Sequence, residues 1–381
     1  MYLQKICIIG DGLAGLSTAI TLSKENIKID LYIGSNKKNL GNDNRTTAIS
    51  ESSYQFIKQK FNIKRKNIFW PCKEIKLFYE VKNIINNFLN FKEKKKNLMY
   101  IFENKKLKIE LSKQIKKKKN ISIIKKNIEK IDYNEGCVLF KKKKLIYDLI
   151  ILSTGSQSAL YNNITHGRVI QKNYEEKALT ANVKHNSRIN NVSQFFLTEG
   201  PLAILPFSKK SFSVVWSVSN AFFKKNNKSL KKTLREKIKI LLTNSKIKNI
   251  SNVYSFPIKL NLQVKYFKKN ILILGDGLHA VHPMAGQGFN LVLRDIKKLN
   301  ELMCKVLNLG LSIKNSLLLK DFYQARKSEN TILGLGIDFT NLFFKDNKYF
   351  FPIKRTILNN IANFKFIKKM SQIISDKGIT T

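Results

Sequence analysis

Two glycine-rich stretches lie far apart in the chain, "GDGLAG" at residues 10–15 and "GDGLHAVHPMAGQGFN" at residues 275–290. In the first, Gly10, Gly12 and Gly15 have the GxGxxG spacing. Gly10 allows a tight turn, Gly12 lets a pyrophosphate approach the main chain, and Gly15 lets helix and strand pack closely. The helix that follows points its positive end at the anion. The second stretch holds an acid, Asp276, and two histidines, His279 and His282. Such histidines are candidates for acid–base work. A single histidine near a ligand is nonetheless more often a packing or hydrogen-bonding residue, so neither is a certain catalyst.

The elements around these residues decide what the glycines mean. "QKICIIG" is a short apolar run ending at Gly10, the pattern of a buried parallel strand. "LAGLSTAITLSKE" follows with apolar residues at helical spacing, and "IKIDLYI" (27–33) reads as a second strand. This βαβ unit of about 30 residues makes GxGxxG a dinucleotide site. One part is missing. Ile33 and Gly34 stand where an acid ordinarily binds a ribose hydroxyl, and Asp30 should face the other side of its strand.

Further along, residues 98–119 read as a Lys-rich helix. Strands are expected around 121–125, 128–133, 137–140 and 145–152, the last returning to the parallel sheet. "KALTANV" and "SFSVVWSVS" mark a β-rich region across 168–218, and 228–242 looks helical. "NILILGDG" (270–277) is another buried strand ending in glycine. A long helix runs from near 285 to about 308, and 313–376 is mostly helical by pattern. The fold class is therefore α/β, a Rossmann-type unit interrupted by a β-rich insertion and completed by a late strand. Both glycine stretches then lie at carboxyl ends of strands, where open α/β sheets bind ligands. One extended ligand should touch both.

Composition narrows the class. The 381 residues suffice for a full core and more than one domain. No run of about 18 apolar residues occurs, and the start does not read as a signal peptide, so a cytoplasmic protein is expected. Cys7, Cys72, Cys137 and Cys304 are scattered with no CxxC pair, against a zinc site or disulfide framework. The net charge of +44 invites a nucleic-acid reading, but only eight of the 70 basic residues are Arg. A nucleic-acid binder would keep Arg for phosphate forks and guanine edges; the Lys excess fits drift in an AT-rich genome. The Arg residues that remain, Arg45 and Arg294 in or beside motifs among them, are candidates for places where Lys will not serve.

Four stretches carry a resemblance: "GDGLAG", "DNRTTAIS" (43–50), "TEGPLAILPFS" (198–208) and "GDGLHAVHPMAGQGFNLVLRD" (275–295). Together they resemble the FAD-dependent aromatic hydroxylases, and within them the ubiquinone-biosynthesis hydroxylase family. "YEEKALTANVKH" (174–185) and "FYQARKSEN" (322–330) are similar to that branch too. The resemblance implies a p-hydroxybenzoate-hydroxylase-like fold. Its FAD-binding domain would comprise 1–70, 98–165 and 265–310. A β-sheet substrate domain would comprise 71–97 and 166–264, with C-terminal helices over 311–381.

It also implies roles. Gly10, Gly12 and Gly15 would hold the FAD pyrophosphate, and Arg45 would reach the cofactor near the pyrophosphate or ribityl chain. Gly275 and Asp276 would sit at the ribityl hydroxyls. Gly286, Gly288 and Asn290 would set backbone N–H groups beside the flavin ring, and Pro283 would stiffen the turn near the reacting edge. NADH or NADPH would reduce the flavin, and O2 would add to give a C4a-hydroperoxide that hydroxylates a polyprenylated phenol. Contact with the inner face of the membrane, or with other ubiquinone-pathway proteins, would bring enzyme and substrate together. At "ILSTGSQS" (151–158), Thr154 stands where related hydroxylases carry Asp. Two other readings remain open. A flavin hydroxylase of a soluble aromatic acid would need an anchoring Arg, Arg168 or Arg188. An inactive flavoprotein-like assembly subunit would explain Ile33 and Thr154.

Overall fold

The strand Lys5–Ile9 lies between two parallel neighbours, Lys28–Tyr32 and Leu149–Leu152. A strand covered on both faces and both edges needs an unbroken apolar run. Ile6, Cys7 and Ile8 supply it and are fully buried. Ile271–Ile273 adds in parallel to Leu149–Leu152, and Ile121–Ile124 adds to Lys28–Tyr32. With the short antiparallel Phe267–Lys268 they make a six-stranded sheet. This computed structural model describes residues 3–34, 43–63, 67–126, 128, 130–140, 143–156, 158–243, 245–314, 316–345, 376 and 378.

A nine-stranded sheet forms the second layer system. Its long strand Val169–His185 pairs antiparallel with Ser211–Ser219 and with Tyr254–Gln263. Gly200–Ser208, Val192–Leu197, Glu74–Val81 and Ile84–Lys92 follow in order. Side chains alternate across such a sheet. Val214, Trp216, Leu202, Ile204 and Phe195 point to one face, where Leu234 and Ile238 of the helix Leu230–Leu241 cover them. Their neighbours Val215, Ala203, Leu205, Gln194 and Phe196 line the cavity described below.

The second glycine stretch links the two sheets. Ile271–Ile273 ends the parallel sheet, and His279–Ala280 then pairs with the strand Tyr254–Gln263 at the edge of the large one. A three-stranded sheet of Thr46–Ser50, Met99–Glu103 and Trp70–Cys72 fills the corner between them. The helix Gly288–Asn308 packs Val292, Leu293, Ile296 and Leu299 into the main core.

Three expectations need correction. Residues 98–119 are not one helix: Met99–Glu103 is a strand and the helix is Asn104–Ile115. Tyr100, Ile101 and Phe102 are all buried, so strand pairing and burial outweigh the Lys-rich helical pattern that follows. The strand expected at 145–152 is split in two. Lys143–Ile146 joins a small antiparallel sheet, and Leu149–Leu152 joins the parallel one. Asp148 sits at the break and accepts a hydrogen bond from the Lys5 backbone N–H at 2.7 Å. The long helix near 285 begins instead at Gly288, after a single 3₁₀ turn over Met284–Gly286. In the tail, a helix spans Ser316–Phe344, and the helical reading of 346–375 lies outside the described residues.

Candidate active site

Gly10 has φ +125°, and a Cβ there would stand 2.2 Å from the Ser153 carbonyl oxygen. A Cβ on Gly15 would meet the Gly10 carbonyl oxygen at 2.1 Å. Both positions therefore require glycine, one for the turn and one for close packing. Around Gly12 nothing lies within 4 Å of such an atom, so that backbone faces open space. The space is a cavity of about 2780 Å³. A ligand site is ordinarily about 300–1,000 Å³, so there is room for a dinucleotide and a second molecule.

The cavity joins most of the residues singled out from the sequence. Gly10, Gly12, Arg45 and Asp276 line it, and so do His282, Pro283, Gly286, Gly288 and Asn290. Gly15, Gly275 and His279 stand behind its wall. Gly275, at φ +83°, packs on Ala14, whose Cβ an added Cβ would meet at 2.8 Å.

Asp276 follows the strand Ile271–Ile273 in a 3₁₀ turn. Its side chain is accessible only because it points into the cavity, where protein surrounds it. Desolvation raises its carboxyl pKa, with His279 and Arg45 pulling it partly back. No described residue hydrogen-bonds it. Arg45 is already paired: its Nε and Nη2 donate to the two Asp43 oxygens, each at 2.8 Å, and it lies over the Phe256 ring. Burial works against the Asp43 charge, but the Arg45 fork holds its carboxyl below the ordinary value.

The helix Gly288–Asn308 has no side-chain cap at its start. Its first N–H groups and positive end therefore face the cavity. Asn290 fixes this turn to the neighbouring strand. Its Oδ1 accepts from the Ser50 N–H at 2.9 Å, and its Nδ2 donates to the Gly286 carbonyl at 3.2 Å. Gly286, at φ +63°, packs against Ala48.

His282 offers no free ring nitrogen to the cavity, and His279, whose Nδ1 is buried without a hydrogen-bond partner, does not line it. The Met284 N–H donates to His282 Nδ1 at 3.2 Å, so the proton sits on Nε2 and is donated to Glu176 at 3.1 Å. His279 Nε2 pairs with Asp295 at 2.6 Å in a fully buried cluster. Asp295 also accepts from Arg326 Nε at 2.6 Å and from Asn330 at 3.1 Å, and Arg326 pairs with Glu329. Burial alone would raise the Asp295 carboxyl; Arg326 and His279 outweigh it and hold it below the usual value. The cluster ties the second glycine stretch to the helix Ser316–Phe344.

Several features escape sequence reading. The Thr154 hydroxyl lies 2.9 Å from the Tyr161 hydroxyl, which also accepts the Thr154 N–H. Burial pushes the Tyr161 phenol up to about 12, against those hydrogen bonds. Gly277 is needed beside it, because a Cβ there would meet the Tyr161 ring at 2.3 Å. Asp30 turns away from the cavity and accepts from Tyr147 at 2.8 Å. The far end of the cavity is an apolar chamber lined by Leu77, Phe88, Phe196, Leu205, Phe343 and Phe344. Phe196 and Phe344 stack there at 3.5 Å between centroids. Alternation within strands such as "SFSVVWSVS" signals the chamber's positions, but only once their facing side is known.

The cradle of backbone N–H groups, the open approach at Gly12 and the unpartnered Asp276 fit a dinucleotide with a polyol linker, as FAD has. Family comparison agrees. A family model described as FAD binding domain matches residues 157–319, and one described as pyridine nucleotide-disulphide oxidoreductase matches residues 4–205. The second covers more than half of the chain, which belongs to the FAD-dependent oxidoreductases that the two models describe. FAD is thus the cofactor, with a pyridine nucleotide as reductant.

Among curated relatives, the mitochondrial ubiquinone biosynthesis monooxygenase COQ6 of Dictyostelium discoideum is 26% identical over 70% of this chain and 66% of its own length. The 3-demethoxyubiquinol 3-hydroxylase of Escherichia coli is 27% identical over 40% of each chain. These matches span less than two thirds of either relative. Among solved structures, the Pseudomonas aeruginosa protein PqsL in complex with 2-aminobenzoylacetate matches with a TM-score of 0.76 at 14% identity, over 95% of this chain and all of that one. The p-nitrophenol 4-monooxygenase PnpA of Pseudomonas putida gives 0.73 at 16%, over 98% and 97%. The fold is that of the FAD-binding monooxygenases.

Proposed function

We propose that this chain hydroxylates the ring of a polyprenylated phenol in ubiquinone biosynthesis, with FAD as cofactor, NADH or NADPH as reductant and O2 as oxidant. The observation that carries the reading is the continuity of the glycine cradle with a large apolar chamber in a single cavity. A soluble aromatic acid would want an Arg in that chamber. Neither Arg168 nor Arg188 lines it, and Lys172, which does, is held by Asp338 at 2.9 Å.

Bound FAD supplies the electron transfer and the activation of O2; the chain supplies binding, orientation and dryness. Gly10 and Gly12 would hold the pyrophosphate, with Gly15 letting the helix pack against the turn behind them, and Arg45 keeps Asp43 neutralised beside it. Asp276 accepts from the ribityl hydroxyls. The start of the helix Gly288–Asn308 favours negative charge on the neighbouring ring. His282, with its proton committed to Glu176, holds the turn 283–288 in place. Leu77, Phe88, Leu205 and the Phe196–Phe344 stack keep water from the reacting ring.

The discontinuous domain division given above is part of the same reading, the six-stranded sheet serving FAD and the nine-stranded sheet the substrate. So is a peripheral place on the inner face of the membrane. No helix among the described residues is long and apolar enough to cross a membrane. Ile332, Leu335, Phe339 and Leu342 recur at helical spacing and are exposed, and Phe339 also lines the cavity. That stripe suits a route from the bilayer or from a partner protein into the chamber.

The first test is the absorption spectrum of purified protein, followed by anaerobic NADH or NADPH. Flavin bands that bleach, faster with a prenylated phenol in detergent, support the reading. Protein that takes up no flavin even when FAD is added would end it in favour of an assembly role.

A further inference from the structure

The ribose end of the dinucleotide site lacks its usual acid, and the structure offers cations instead. The helix Asn104–Ile115 and its cap present Lys105, Lys108, Ser112 and Lys116 to the cavity that holds Gly10 and Gly12. Their steps of three and four residues place them along one face of the helix. Lys108 reaches the glycine turn: its Nζ lies 3.0 Å from Asp11 Oδ2, and Asp11 is the second residue of that turn. The pair is half-exposed, with side-chain exposures of 26% and 40%, so it contributes little to folding. It is well placed to be exchanged for a better one. The pyrophosphate of a dinucleotide carries two charges to the carboxylate's one, and more acceptor oxygens for an ammonium.

We propose that Lys108 is a phosphate-binding residue of the FAD site, held ready by Asp11 and handed over to the pyrophosphate when the cofactor enters. The proposal rests on the FAD reading but not on any substrate. It makes the two partners of one ion pair act with opposite sign on cofactor binding. Lys108 attracts the anion. Asp11 repels it and competes for Lys108.

The experiment is titration of apoprotein with FAD, followed by flavin fluorescence at low and high salt. Lys108→Gln should weaken FAD binding about tenfold at low salt and flatten its salt dependence, while Lys108→Arg keeps most of the affinity. Asp11→Asn should tighten binding a few-fold. FMN, which lacks the pyrophosphate, should bind wild type and Lys108→Gln with a smaller difference than FAD does. Thermal unfolding of each apoprotein separates binding from folding. Unchanged affinity in Lys108→Gln would overturn the proposal. Parallel losses of stability and affinity in both variants would too, because they would make the pair merely structural. Wild type that binds no FAD would instead refute the cofactor assignment beneath it.

Discussion

The two ends of the cavity are built on different principles. The cradle end is made of main chain: Gly10, Gly12 and Gly286 bring backbone to the surface, and few side chains take part. The chamber end is made of side chains from strands distant in sequence, Leu77, Phe88, Phe196, Ala203, Leu205 and Val215. Gly10 and Gly286 hold conformations that favour glycine, at φ +125° and +63°, so that part tolerates little change. A side-chain wall depends on volume and apolarity, which many residues supply. Chemistry shared by many enzymes is thus held by the rigid end, and choice of substrate falls to the adjustable one.

The sharpest way to break this comparison is Gly10→Ala. The added atom would meet the Ser153 carbonyl at 2.2 Å in a φ +125° turn. The strain exceeds about 3 kcal/mol, and FAD retention should fall by more than about a hundredfold. Flavin content after gel filtration checks this. Ala203→Val, in the chamber, should leave flavin content intact and change only substrate KM.

Next comes the buried cluster behind the cradle. Arg326→Met takes its cation from the buried Asp295 and Glu329, leaving Asp295 to His279 and Glu329 to Arg294 at 3.5 Å, and should cost about 3–5 kcal/mol of stability, read by denaturant unfolding. The pH dependence has a defined sign. Asp295 is held below its unfolded pKa of about 4. Its contribution is therefore complete above that value and is lost as pH falls through the folded pKa. A thermal midpoint that drops in acid in wild type, and drops less in Asp295→Asn, is the expected result.

Asp276→Asn comes third. It keeps an acceptor but removes the charge, so FAD binding should weaken about tenfold with the fold intact. The smallest effect belongs to the chamber. Phe344→Ala removes a stacked pair worth about 0.5–1.5 kcal/mol. It should raise KM for a prenylated phenol a few-fold and release more peroxide per pyridine nucleotide, at unchanged flavin content.

The same contrast explains what could be read without coordinates. Glycine spacing and buried strands announce the cradle, because one local pattern encodes each part. The first βαβ unit, the late strand at 271–273 and the long helix after it were all legible on that basis. The chamber was not, since its residues come from five strands and the end of the helix Ser316–Phe344, whose facing sides depend on tertiary packing. "LMYIFENKKL" misled because a short buried strand runs directly into a Lys-rich helix. Tyr161, which engages the Thr154 hydroxyl, has no local signal at all. The engagement of His282 Nε2 likewise depends on Glu176, 106 residues away.

The central claim is that cradle and chamber together insert one oxygen atom into a hydrophobic phenol. Purified protein with FAD, NADH or NADPH, a short-chain polyprenylated phenol in detergent and isotopically heavy O2 tests it, with products read by mass spectrometry. One heavy oxygen on the ring, formed in step with pyridine nucleotide oxidation, is the predicted result. Pyridine nucleotide oxidised with all the label recovered as peroxide and none on the ring, across phenols of different tail length, would contradict it.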